Sequence, residues 1–308
     1  MIESSPRWKF TARYTLTQSY GHVQLLPEHV LGQWFCLARG SGAPLWERTF
    51  DCADTVCGLA DGVVVASETV SRGPGTWSEG CYGISLATGE LLWTSHGEDG
   101  KDSPAAIQGN EVVCRSGSVV SISNGHLLRR ISCDERRAIE EEYIFGDPSD
   151  AMILYSRGRY PNARRRRVWL DGVGWLTLAR KPRQWNTSFL LSATDSAGAV
   201  IWAFDLATTG YVMNHFNYFA SRLVGRHVYV IASEGPNSRR LPAPRYVQPI
   251  PTRFHLLTVE LERGTIVQDV YLSDQPVTEC RIEDADDRAV LVSTGGREIA
   301  HYRRMASV

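Results

Sequence analysis

The chain has 308 residues, 43% of them apolar and 22% charged, with a formal net charge of −1. This is the composition of a globular protein with apolar mass enough for a large core. Near-neutrality excludes the global field that draws a protein onto nucleic acid or membrane. No stretch approaches the roughly 18 consecutive apolar residues of a membrane helix. Met1–Trp8 carries no apolar run of signal-peptide length. A soluble, cytoplasmic protein is expected.

Along the chain, one phrase recurs, a glycine followed by apolar residues and ending in tryptophan. Its copies are Gly42-Ala43-Pro44-Leu45-Trp46, Gly89-Glu90-Leu91-Leu92-Trp93, Gly125-His126-Leu127-Leu128-Arg129, Gly198-Ala199-Val200-Ile201-Trp202 and Gly264-Thr265-Ile266-Val267-Gln268. Ser5–Phe10, around Trp8, reads as a degenerate sixth copy. A strand precedes each tight turn, as in Tyr82–Leu86, Val119–Ile122, Ser188–Leu191 and His255–Val259. The turn glycine is expected because two-residue hairpins need positive φ. One strand earlier lies a β-branched run: Val63–Val65, Val112–Val113, Val228–Val230 and Ala289–Val292.

Four short antiparallel strands at a recurring period are the pattern of a propeller blade. The expected fold is therefore all-β, a single β-propeller of four-stranded antiparallel blades spanning 1–308. Intervals between the glycines of 47, 36, 73 and 66 residues favour six blades, the long ones carrying insertions. Seven blades is the alternative. The last blade is expected to take Trp8–Arg13 as a strand, which removes free edges.

The stretch Ile84-Ser85-Leu86-Ala87-Thr88-Gly89-Glu90-Leu91-Leu92-Trp93 resembles the repeat of quinoprotein-type (PQQ-like) and WD-like propellers. The resemblance implies the propeller fold. The quinoprotein dehydrogenases need a vicinal cysteine pair, a calcium site and a catalytic Asp. This chain has no adjacent cysteines, so a non-catalytic, divergent member binding no PQQ and no other cofactor is expected.

Three connections between second and third blade strands stand out by length: 68–80, 158–187 and 235–253. They are expected on one face, where long loops carry function. The first holds Trp77. The second holds Arg164, Arg165, Arg166, Arg167, Trp169, Trp175, Arg180, Lys181, Arg183 and Trp185 against one acid, Asp171, and 167–178 reads as a hairpin turning at Asp171-Gly172. The third holds Arg239, Arg240 and Arg245. Arg and Trp are the residue types enriched at binding hot spots. These residues are the expected contact surface for an acidic protein partner, in a non-enzymatic scaffold or regulatory subunit. The alternatives are a small-molecule or catalytic site in the central channel, and single-stranded nucleic acid on the basic insertions.

Other chemistry is sparse. The seven cysteines are scattered and read as buried reduced thiols, with no zinc spacing around Cys52 and Cys57. His227 and His255 alternate with apolar residues and read as structural or surface histidines. No catalytic or metal-ligating set is expected.

Overall fold

A computed structural model describes residues 1–13, 23–32, 35–48, 55–72, 75–95, 102–145, 167–180, 189–213, 221–235, 238–240 and 247–305. The chain forms two compact units: Tyr14–Asp147, and Met1–Arg13 together with Pro148–Val308.

Strand β1 (Trp8–Thr11) belongs to the second of these. In the Tyr14–Asp147 unit, β2 (Gln24–Leu25), β3 (His29–Leu31), β4 (Phe35–Ala38) and β5 (Pro44–Glu47) form an antiparallel sheet in sequence order. The same meander recurs in β6 (Thr55–Ala60), β7 (Val63–Arg72), β8 (Gly75–Ser85) and β9 (Leu91–Ser95). It recurs again in β10 (Pro104–Gln108), β11 (Glu111–Cys114), β12 (Ser118–Ser121) and β13 (Leu127–Arg130), followed by helix α1 (Cys133–Phe145).

The other unit opens with the sheet β14 (Arg167–Leu170), β15 (Gly174–Arg180), β16 (Phe189–Thr194) and β17 (Val200–Asp205). Next come β18 (Val212–Met213), β19 (Ser221–Val224), β20 (His227–Ser233) and the hairpin β21 (Ser238–Arg240)/β22 (Val247–Pro249). Strands β23 (Phe254–Glu260) and β24 (Thr265–Tyr271) complete the order β19-β20-β23-β24, with β18 also on β20. The last sheet is β25 (Cys280–Ala285), β26 (Ala289–Thr294), β27 (Glu298–Arg303) and then β1, with Trp8 opposite His301. The expected pairing of the N-terminal strand with the last one is thus present.

Strands β7 and β20 are apolar on both faces because their sheets are covered on both. Val64 and Ala66 of β7 join the core with Leu31 and Cys36, whereas Val63 and Val65 join Val112, Cys114 and Val120. Strand β20 does the same: Val228 and Val230 pack with Leu176 and Leu191, and Tyr229 and Ile231 pack with Ile282, Val290 and Tyr302. Alternation in a strand buried on both sides reads as a continuous apolar run.

The five repeat glycines all have positive φ, from 65° to 87°. Each outer strand then carries one extra residue opposite its partner. The residue is Leu45, Leu92, Leu128, Ile201 or Val267, just before the tryptophan position. Such a bulge re-aims the next side chain. The bulged residue itself points to solvent in every copy. The indole that follows reaches the next sheet: Trp46 Nε1 donates to Leu86 O and Trp93 Nε1 to Ile122 O, both at 2.7 Å. The two copies without Trp differ. Arg129 turns back to Glu111 on its own sheet. Gln268 bonds Ile2, accepting from its N–H at 2.7 Å and donating to its carbonyl at 2.6 Å.

The structure corrects three readings. Residues 68–72 and 75–80 are no irregular loop, since β7 and β8 pair out to Arg72 opposite Gly75 and place Val70 opposite Trp77. Of 158–187, residues 167–180 form β14 and β15, the first two strands of a sheet, with Leu176 in its core. Polar, basic positions had hidden that alternation. Helix α1 was not expected either. Ser132 caps it, accepting from the Glu135 N–H at 3.2 Å, and Ser132-x-x-Glu135 is a capping-box sequence. Its Ile139 packs against Ala106, Val113 and Val119.

Candidate functional site

The 167–178 hairpin forms as its sequence suggests. Gly172 and Gly174 adopt φ of 76° and 100°, which turn β14 back as β15. Register places Trp169 directly opposite Trp175. Their rings meet edge to face with centroids 5.5 Å apart, a favoured aromatic geometry. Trp175 is half-buried, and Trp169 is 46% exposed. The Trp169 Nε1 donates to Asp171 Oδ1 at 3.1 Å, so the one acid of the segment orients the exposed indole.

Among the described residues, β14 pairs with β15 alone, so it is the edge of its sheet. Arg167 begins this edge strand, opposite Thr177, and Arg180 ends β15, opposite Phe189. Arg239 and Arg240 lie on β21, opposite Gln248 and Val247. Trp77 belongs to the Tyr14–Asp147 unit. Arg164, Arg165, Arg166, Lys181, Arg183, Trp185 and Arg245 lie outside the described residues.

Two polar clusters were not anticipated. The first surrounds His255 on β23. Its Nδ1 faces Asp269 Oδ1 at 2.7 Å and its Nε2 faces Glu234 Oε1 at 3.2 Å. Tyr211 donates to Asp269 Oδ2 at 2.6 Å, and its hydroxyl lies 3.4 Å from His255 Nδ1. Burial, the bond to Asp269 and the two carboxylate charges push the Tyr211 phenol up to about 12. Tyr271 meets the His255 ring edge-on at 5.1 Å, and the Arg253 guanidinium lies over the Tyr271 ring at 5.9 Å. Glu234 and Asp269 lie 21 and 14 residues from His255, so only strand register joins them.

The second cluster lies where the edge strands β19 and β25 come together. Arg222 Nη2 donates to Glu283 O at 3.0 Å, Ser293 Oγ donates to Glu283 Oε1 at 2.5 Å, and Arg281 pairs with Glu279. Glu283 is the extra residue of a β25 bulge. Burial lowers both arginine pKa values, partly offset for Arg222 by Asp284 and Glu283 and for Arg281 by Glu283.

Cys36, Cys81, Cys114 and Cys280 are buried thiols outside any disulfide, but Cys133 is exposed at the start of α1, against expectation. Burial raises Cys36 to about 11 and Cys280 well above the ordinary thiol value. Among the described residues no three His, Cys, Asp or Glu are arranged to hold a metal ion, and no helix is long and apolar enough to cross a membrane.

No protein-family model and no curated protein matches this sequence. Among solved structures, BamB from Moraxella catarrhalis matches at 10% identity over 99% of this chain and 100% of that one, with a TM-score of 0.40. A chain of a mitotic checkpoint complex matches at 10% identity over 99% and 94%, with a TM-score of 0.38. The computationally designed Ika8 protein matches at 11% identity over 96% and 100%, with a TM-score of 0.28. Overlaps this loose leave the functional argument to the chain's own geometry.

Proposed function

We propose that this chain is a non-enzymatic, six-bladed β-propeller that holds an acidic protein partner on the basic, tryptophan-bearing edge of the β14–β17 sheet. The observation that carries the reading is Trp169, a large aromatic side chain 46% exposed on an edge strand and propped by Trp175 and Asp171. Exposed aromatics flanked by arginine are typical interaction anchors. The basic residues adjoin it in sequence: Arg164, Arg165, Arg166 and Arg167 before, Arg180, Lys181 and Arg183 after. The 235–253 arm adds Arg239, Arg240 and Arg245 to the basic residues of the sequence. Among the described residues, six meandering sheets, each the size of a blade, support the architecture.

Reversing the charge of Arg164–Arg167 is expected to abolish co-purification of the partner and leave the melting temperature unchanged. Undiminished co-purification would overturn the reading. Single-stranded nucleic acid would use the same residues, and a salt titration with a generic oligonucleotide separates the two, because phosphate contacts impose a steep slope.

A further inference from the structure

The 235–253 arm leaves the β20–β23 pair at a stem closed by the Glu234 N–H, which donates to Arg253 O at 3.1 Å. Beside that bond, the Glu234 carboxylate reaches His255 Nε2. The protonation of the ring decides whether this contact attracts. Asp269 accepts from Tyr211 and, as an ionised carboxylate, offers His255 Nδ1 only an acceptor. Glu234 offers Nε2 only an acceptor as well, and the shorter contact, 2.7 against 3.2 Å, makes Nδ1 the nitrogen that keeps its proton in either charge state. In the neutral ring Nε2 is then a lone pair facing the Glu234 oxygen, and the contact repels. In the imidazolium Nε2 is a donor, and both carboxylates are bonded. The other groups around the ring do not supply this proton: Tyr211 is committed to Asp269, Tyr271 approaches edge-on, and Arg253 lies over Tyr271.

We infer that His255 is a proton-operated latch on the stem of the basic arm, holding Glu234 only while both ring nitrogens are protonated. The two ends of the stem, Glu234 and Arg253, frame the segment that carries strand β21 with Arg239 and Arg240, so the latch holds the base from which that strand departs. Its biological meaning rests on the proposed partner surface, but its test needs no partner.

The test is amide hydrogen exchange of residues 234–235, 238–240 and 247–248 at about pH 5 and about pH 8, corrected for intrinsic exchange. In the unaltered protein, protection of the stem is expected to fall by about three- to tenfold at the higher pH, the scale of a partly exposed charged bond. Glu234→Gln is expected to keep the stem protected at both values, because the introduced amide accepts from the charged ring and donates to the neutral one. His255→Leu is expected to leave it unprotected at both. Protection independent of pH in the unaltered protein would overturn the latch, and so would unaltered pH dependence in Glu234→Gln. Loss of partner binding on charge reversal with a pH-independent stem would retain the surface and reject the latch.

Discussion

The indole of Trp93 lies over Gly125, the turn glycine of the next sheet, so closely that a Cβ there would come within 2.6 Å of Cε3. Trp46 stands in the same relation to Gly89, and Trp202 to Gly264. The two ends of the repeated phrase are therefore complementary parts of one contact, the tryptophan of each sheet closing on the glycine of its successor. Gly83, opposite Trp93 in its own sheet, is likewise needed to admit the ring.

Gly125→Ala is expected to destabilise by about 2–4 kcal/mol, from positive-φ strain plus the forced retreat of the indole. Gly109, at φ 53° with nothing within 4 Å of an added Cβ, isolates the first term. Gly109→Ala should cost about 1 kcal/mol. Urea denaturation of both variants measures the difference, and equal losses would refute the interlock.

Gln268 replaces the interlock with two hydrogen bonds to Ile2. Gln268→Leu leaves that backbone unmet and should cost about 1–3 kcal/mol. The loss should appear as faster amide exchange in β1, which the same contact anchors at its N-terminal side.

Trp169→Ala is expected to change stability by less than about 1 kcal/mol, since the ring is exposed. It should weaken partner binding by at least about tenfold. Calorimetry of folding and of binding on the one variant checks both halves.

The Tyr211 phenol, raised from 10 to about 12, gives a signed pH dependence. The folded state holds the neutral form, so its contribution to stability is complete below pH 10 and is lost as pH rises through about 12. Tyr211→Phe should flatten the alkaline limb of a stability–pH curve over that interval.

Alkylation followed by peptide mapping should label Cys133 in the native protein well before Cys36, Cys81, Cys114 or Cys280. For Cys36, burial disfavours the thiolate, so native labelling stays slow until pH nears about 11.

The sequence by itself determined the meander, because its signals are local. Positive-φ glycines, β-branched runs and the terminal tryptophans each specify a turn or strand within a few residues. The Trp169–Trp175 hairpin was legible for the same reason, through Asp171-Gly172. The helix after Ser132 was equally local, and its capping box was there to be read. Tertiary structure alone decided what depends on register. The polar segments around Trp77 and Arg167 could have been loops, and became strands because a neighbouring strand was available to pair with them. Likewise His255 alternates with apolar residues like any half-buried strand position. Only the alignment of β20, β23 and β24 brings Glu234 and Asp269 to opposite sides of its ring, and no spacing in the chain encodes that meeting.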